Sequence, residues 1–323
     1  KAAYNDDYLS LDTTRTIKGI FILLVFIKHI SPYIFHAGFE YNGNWKLLFD
    51  TVDNNIGQWI VSMFLFYSGY GVMESIKRKG SLYIDQFPRK RLLQTLVNFD
   101  IAVICFIVLD LLLGTSITLK QCLLSLIGWE SVGNSNWYIF VIILLYIITY
   151  LSFKFTINYK LSLFLALSLS TVSIFILSTC KEIWWYNTML CYIAGLFFSV
   201  FRNKIEVLVK SNYWAVLILL IVLMFVFNKI PYSFNGLVYN GFSILFCFFV
   251  LLLTLKFKVN HKLLIWCGKN LFPLYIYQRI PMIALSYIKG GSFAANYSFL
   301  FIISCLLITI LLTILYNFFA VKL

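Results

Sequence analysis

The sequence predicts an all-α integral membrane protein, a polytopic chain of about ten transmembrane helices with both termini in the cytoplasm. Three observations lead there. Hydrophobic residues make up 61% of the 323 and charged residues only 12%, against about 45–50% and about 25% in soluble domains. So little polar surface cannot cover a globule in water, which excludes a soluble enzyme, a coiled coil and a disordered chain. The apolar residues fall into ten runs, most near the roughly 20 residues that a helix needs to cross the hydrocarbon core. The basic residues between the runs alternate in abundance from loop to loop, as they do in chains of fixed membrane orientation.

In chain order, the first expected span is 16–35, an apolar run entered through Thr13-Thr14-Arg15. The second, 56–76, is rich in aromatic residues, and the third, 94–113, follows the basic stretch Arg89-Lys90-Arg91. Spans four and five, 135–153 and 161–179, are Leu- and Ile-rich and are separated by a short loop with Lys154 and Lys160. The sixth, 186–201, starts at an aromatic cluster, and the seventh and eighth cover 213–229 and 236–255. The ninth, 264–287, holds Pro273 and Pro281 and is expected to be kinked or broken. The tenth covers 294–320. The intervening loops are too short for a soluble domain, so residues 1–323 read as one transmembrane domain.

Net charge is +13, which in a soluble chain would suggest nucleic acid; here it reads as topology. The terminal segments and every second loop together hold seventeen Lys and Arg, while Lys46, Lys120, Lys181, Lys229 and Lys289 stand one each in the other loops. The richer side is cytoplasmic. The seven cysteines show no metal-ligand spacing. The abundance of Lys over Arg, with much Ile, Asn and Tyr, fits an AT-rich bacterial genome.

Four basic residues (Lys18, Lys28, Lys269 and Arg279) lie within expected spans, as do His29, Asp100 and Asp110. Ionisable groups at such depth mark functional interiors or watery cavities. Lys18 and His29 are 11 residues apart, about three helical turns plus about 20°, so both project from one helix face roughly 16 Å apart.

This segment resembles the start of the acyltransferase family 3 membrane proteins, whose first helix carries a basic residue, ten residues and then a histidine. Lys18, Gly19 to Lys28 and His29 match that spacing, with Lys where many members have Arg. Further segments resemble the family in order. These are Ser62-Met63-Phe64-Leu65-Phe66-Tyr67-Ser68-Gly69-Tyr70, Phe87-Pro88-Arg89-Lys90-Arg91-Leu92-Leu93, Asn136-Trp137-Tyr138-Ile139 and Trp185-Tyr186-Asn187-Thr188. Two positions depart from the pattern. Gln94 stands where members often have a second basic residue, and Gln278 where many have a histidine, followed here by Arg279.

The resemblance implies a ten-helix O-acyltransferase of the cell membrane. It would move an acyl group, acetyl by resemblance, from cytoplasmic acyl-CoA to a hydroxyl of an extracytoplasmic or lipid-linked glycan, without a metal. Acyl transfer needs a base at the hydroxyl, and His29 suits that role; whether it acts as base or carries the acyl group stays open, and the competing reading is a histidine hydrogen-bonded within the bundle. Arg89, Lys90 and Arg91, with Lys18, are candidates for the phosphates of coenzyme A; the competing reading is a topology signal, which suffices for Lys77, Arg78 and Lys79. Glu130, Asn136, Trp137, Tyr138, Gln278 and Arg279 are candidates for the acceptor. Aromatic faces stack on sugars and amides bond hydroxyls, although Trp and Tyr also anchor helices at membrane interfaces. Asp100 is expected to pair with an intramembrane cation. The rival function is a transporter or flippase for a lipid-linked sugar.

Overall fold

A computed structural model describes residues 4–36, 58–156, 158–229, 236–288 and 292–320. Lys1, Lys46, Lys289 and Lys322, and the side chains of His36 and Lys229, lie outside the described residues. Among the described residues the chain is helical with no strand: α1 (Leu11–His36), α2 (Trp59–Lys79), α3 (Ser81–Phe87), α4 (Gln94–Leu112), α5 (Leu119–Leu126), α6 (Trp137–Lys154), α7 (Tyr159–Ser178), α8 (Leu190–Ser211), α9 (Tyr213–Lys229), α10 (Gly236–Lys256), α11 (Lys262–Lys269), α12 (Leu271–Tyr277), α13 (Arg279–Ser286), α14 (Ser292–Asn296) and α15 (Ser298–Phe319). A single turn of π-helix, Pro88–Leu93, joins α3 to α4 and carries Arg89, Lys90 and Arg91.

Among the described residues, seven helical runs are long and apolar enough to cross a membrane: Leu11–Ile34, Ser81–Leu112, Trp137–Lys154, Tyr159–Ser178, Ile183–Ser211, Gly236–Lys256 and Ser298–Phe319. The sequence expectation of about ten comparable spans is met only in part. Tyr213–Phe227 is apolar but shorter. The second expected span, α2, is long enough yet carries Ser62, Ser68, Glu74 and Ser75. Most of its residues are buried, so other helices, and not lipid, surround it and its surface need not be uniformly apolar. The ninth is divided into α11, α12 and α13. Pro281 has no N–H to offer the carbonyl of Tyr277 four residues back, so the helical ladder is interrupted near Gln278.

The bundle is apolar outside and partly polar inside, as lipid solvation requires. Phe164, Phe175, Ile218, Val222, Leu307 and Leu311 on α7, α9 and α15 are exposed, whereas Ser62, Asn98, Thr149, Ser170, Asn240 and Thr309 are buried. Several of these polar groups bond across helices. Thr149 and Tyr192 hydroxyls are 3.0 Å apart, Ser68 and Tyr146 hydroxyls 3.1 Å. Asn240 donates to the Tyr186 carbonyl at 2.8 Å and accepts from the Leu190 N–H at 2.7 Å.

Two reciprocal glycine contacts set the closest helix pairs. A Cβ on Gly69 of α2 would lie 2.0 Å from the Tyr192 carbonyl oxygen of α8, and one on Gly195 of α8 would lie 2.1 Å from that of Phe66. Likewise, a Cβ on Gly19 of α1 would lie 2.0 Å from the Leu264 carbonyl oxygen of α11, and one on Gly268 of α11 would lie 1.9 Å from that of Arg15. Without a side chain at these positions the backbones touch, which is how membrane helices gain packing in the absence of a hydrophobic driving force between them. The α1–α11 contact fixes the helix that carries Lys18 and His29.

Candidate active site

Because α1 is one continuous helix, Lys18 and His29 stay on a single face of it. His29 opens into a cavity of about 930 Å³ formed by α1, the start of α2, the start of α6, the segment before α8, and the junction of α12 with α13. Lys28, Tyr33, Gln58, Trp137, Asn187 and Arg279 line it, with Trp184, Tyr239 and Tyr275 among the aromatic residues. The His29 ring sits 6.1 Å from that of Tyr275, and Tyr275 sits 5.3 Å from Tyr138. Arg279 points its Nη2 toward the Tyr33 hydroxyl at 3.5 Å.

Five buried polar atoms on residues of this cavity have no hydrogen-bond partner among the described residues: His29 Nδ1, Gln58 Oε1, Asn187 Oδ1, the Tyr275 hydroxyl and Arg279 Nε. An unpaired buried polar group costs about 1–3 kcal/mol. Five at one place therefore mark a space suited to a polar occupant.

The basic cluster lies at a second cavity, of about 440 Å³, lined by Tyr83, Lys90, Arg91, Gln94, Thr95, Asn98, Phe272 and Tyr316. Arg91 donates from Nε to the Tyr83 hydroxyl at 3.0 Å. Arg89 and Lys90 are exposed, and Gln94, the departure from the family pattern, lines this cavity beside Arg91. Lys18 is not among its lining residues; its ammonium lies 5.8 Å from the Tyr67 ring and within electrostatic reach of Arg15 and Arg91. The wide π-helical turn presents this cluster, a backbone feature found disproportionately at functional sites.

A file of tyrosines connects the two cavities. Tyr83 holds Arg91 and packs on Phe87, which packs on Tyr146 of α6; further along the same helix Tyr138 packs on Tyr275, and Tyr275 packs on His29.

The remaining sequence candidates divide. Trp137 and Arg279 line the large cavity, whereas Glu130, Asn136, Tyr138 and Gln278 are not among its lining residues. Glu130 is exposed on its loop. Asn136 is buried and donates to the Gly128 carbonyl at 2.7 Å, closing the loop before α6. Gln278, also buried, donates to the Tyr275 carbonyl at 3.0 Å and so closes the end of α12. Tyr138 supports the cavity from behind, through Tyr275. Asp100 does not meet the expected cation: its buried Oδ1 has no partner among the described residues. Gln58, Trp184 and Tyr239 were not singled out by sequence, where each is a lone polar or aromatic residue in an apolar setting; Asn187 stood only within a family-like segment.

Comparison with known proteins agrees with this geometry. A family model described as an acyltransferase domain matches residues 11–318, from the start of α1 to the end of α15. No curated protein and no solved structure matches the chain. A match over nearly the whole chain, on the residues that build both cavities, leaves one conclusion: the chain belongs to the acyltransferase 3 family.

Proposed function

We propose that this membrane acyltransferase moves an acyl group, acetyl by resemblance, from cytoplasmic acyl-CoA to a hydroxyl of an extracytoplasmic or lipid-linked glycan. The observation that carries the reading is the pairing of a basic cavity at Arg91 with a large cavity at His29, joined by the tyrosine file. Coenzyme A is long and anionic at one end. Its phosphates fit Arg91 and Lys90, with Lys18 adding positive potential nearby, and its pantetheine arm would run past the tyrosines toward His29. There the imidazole takes the proton of the acceptor hydroxyl as that oxygen attacks the thioester carbonyl. The carbon–sulfur bond then breaks and the thiolate of coenzyme A leaves. Turnover of acyl-CoA thioester by the purified chain with a glycan acceptor tests the reading; movement of a lipid-linked sugar without thioester turnover would favour a flippase.

The same reading fixes the orientation. Both termini face the cytoplasm, and ten segments cross, the ninth as the interrupted α11–α13. Reporter fusions at the two ends are expected to give the same cytoplasmic signal; opposite signals would refute an even number of crossings.

Arg91→Ala is expected to raise the KM for acyl-CoA about tenfold, with a smaller change in kcat, because a phosphate grip acts equally in the ground and transition states. The defect is expected to shrink with a donor that lacks the 3′-phosphate. Lys79→Ala is the control, since Lys79 is exposed on the same side. Lys77 is unsuitable because it pairs with Glu74 at 2.7 Å and donates to the Ser199 carbonyl at 3.0 Å. Equal behaviour of Arg91→Ala and Lys79→Ala would reduce the cluster to a topology signal.

A further inference from the structure

We infer that the acceptor is an anionic glycan whose negative group is held by Arg279 in the cavity that carries His29; this rests on the reading of that cavity as the acceptor site. Three observations point there. First, Arg279 lines the cavity, and no Asp or Glu is among the described lining residues. Second, Arg279 forms no ion pair among the described residues. Among those residues its buried Nε has no partner, and its one hydrogen bond to a side chain is the 3.5 Å contact with Tyr33. A guanidinium kept in a bundle without a carboxylate is costly unless an anion arrives to pair with it. The planar fork suits a carboxylate or phosphate held through two N–H groups.

The third observation is the arrangement of the other orphaned atoms. Gln58 Oε1 and Asn187 Oδ1 are acceptors with no donor among the described residues, and both residues line the same cavity as Trp137 and Trp184. Sugar hydroxyls supply the donors, and sugar faces supply apolar surface for the indoles. Hydroxyl donors for the two amides, a ring face for the tryptophans and an anion for Arg279 together describe a sugar acid or a phosphodiester-linked polyol. A neutral glycan would satisfy the amides and leave the guanidinium unmatched. Coenzyme A does not supply the anion, because its phosphates lie at the far end of the pantetheine arm from the thioester that must reach His29.

The test uses the full chain in detergent, without donor, and two probes that differ in charge and by one methyl group per carboxyl: trigalacturonic acid and its fully methyl-esterified form. Binding is read from quenching of tryptophan fluorescence, with Trp137 and Trp184 in the cavity as reporters. The acid is expected to bind about tenfold more tightly than the ester at low salt, the worth of one charge-assisted contact. Rising salt is expected to erode that preference. Arg279→Gln is expected to bring the two probes together, and Arg279→Lys to keep part of the difference, which also controls for misfolding of the glutamine variant. Equal binding of the two probes, tighter binding of the ester, no binding of either, or a preference that survives Arg279→Gln would each overturn the inference. His29→Ala is expected to leave the preference intact. Full acyl transfer by His29→Ala would therefore refute the proposed chemistry without touching the charge preference, and the two failures can be told apart.

Discussion

His29→Ala is expected to lower acyl transfer by about 10²–10⁴-fold, the usual range for loss of a general base, while binding of acyl-CoA persists. The separation follows from geometry. The donor phosphates are assigned to the Arg91 cavity, and His29 sits at the other end of the tyrosine file, on the wall of the 930 Å³ cavity. On the proposed reading, removing the imidazole deletes the group assigned to take the hydroxyl proton but leaves the proposed phosphate grip in place. The measurement is product formation at saturating acyl-CoA, together with donor affinity by equilibrium binding. Near-normal turnover would return His29 to a packing role, and parallel loss of donor affinity would mean that the substitution disturbed the helix and not only the chemistry.

Gly69→Ala is expected to destabilise the bundle by about 3 kcal/mol or more, at or beyond the upper end of the usual cost of overpacking. One methyl group is enough, because it would have to occupy a point 2.0 Å from the Tyr192 carbonyl oxygen. That neighbour is backbone and cannot swing away, so α2 and α8 must separate along their length. Gly195→Ala is expected to act in the same way, from the opposite side of the same contact. Gly71→Ala is the internal control: it lies on the same helix, and a Cβ there meets nothing within 4 Å. It is expected to be neutral or slightly stabilising, since alanine favours a helix interior over glycine by about 1 kcal/mol. Thermal unfolding of the detergent-solubilised protein, followed by loss of the monodisperse species, compares the three. A similar loss in all three would show that the close α2–α8 contact is not what makes Gly69 and Gly195 sensitive, since helix propensity alone favours alanine.

Much of the site was legible because it is local. The 11-residue interval from Lys18 to His29 is a property of one helix, and any unbroken α1 puts the two on one face. The family-like segments at Ser62–Tyr70 and Phe87–Leu93 are likewise local, and the second of them becomes the π-turn that presents Arg91. Arg279 could be found because prolines on both sides of it forecast an interrupted helix, and a freed backbone is tolerated only beside protein or a cavity. The acceptor wall was much less legible. Asn136 and Gln278 carry the same amide as Asn187 and Gln58, but the first two donate to neighbouring carbonyls, while the latter present an unpaired oxygen. Nothing in residue type or spacing distinguishes an amide committed to its own turn from one left over for a ligand. Asp100 failed for a related reason: depth in the membrane was inferred from position, but a partner depends on which way each flank of α4 faces.

The sequence by itself determined that this chain lives in a membrane, that it is helical, that a histidine and a lysine share one face of its first helix, and to which family it is related. Composition, hydrophobic run length and intrahelical spacing act over tens of residues or fewer, so they survive without knowledge of any neighbour. The tertiary structure decided that α2 is an interior helix despite its polar residues, and that Gln58, Trp184 with Asn187, and Arg279 meet around His29 from three separate parts of the chain. It also decided which glycines matter. Gly69 and Gly71 are two residues apart on one helix, but only Gly69 faces α8, and the direction a residue faces becomes a constraint only where a neighbouring backbone occupies the space its Cβ would need.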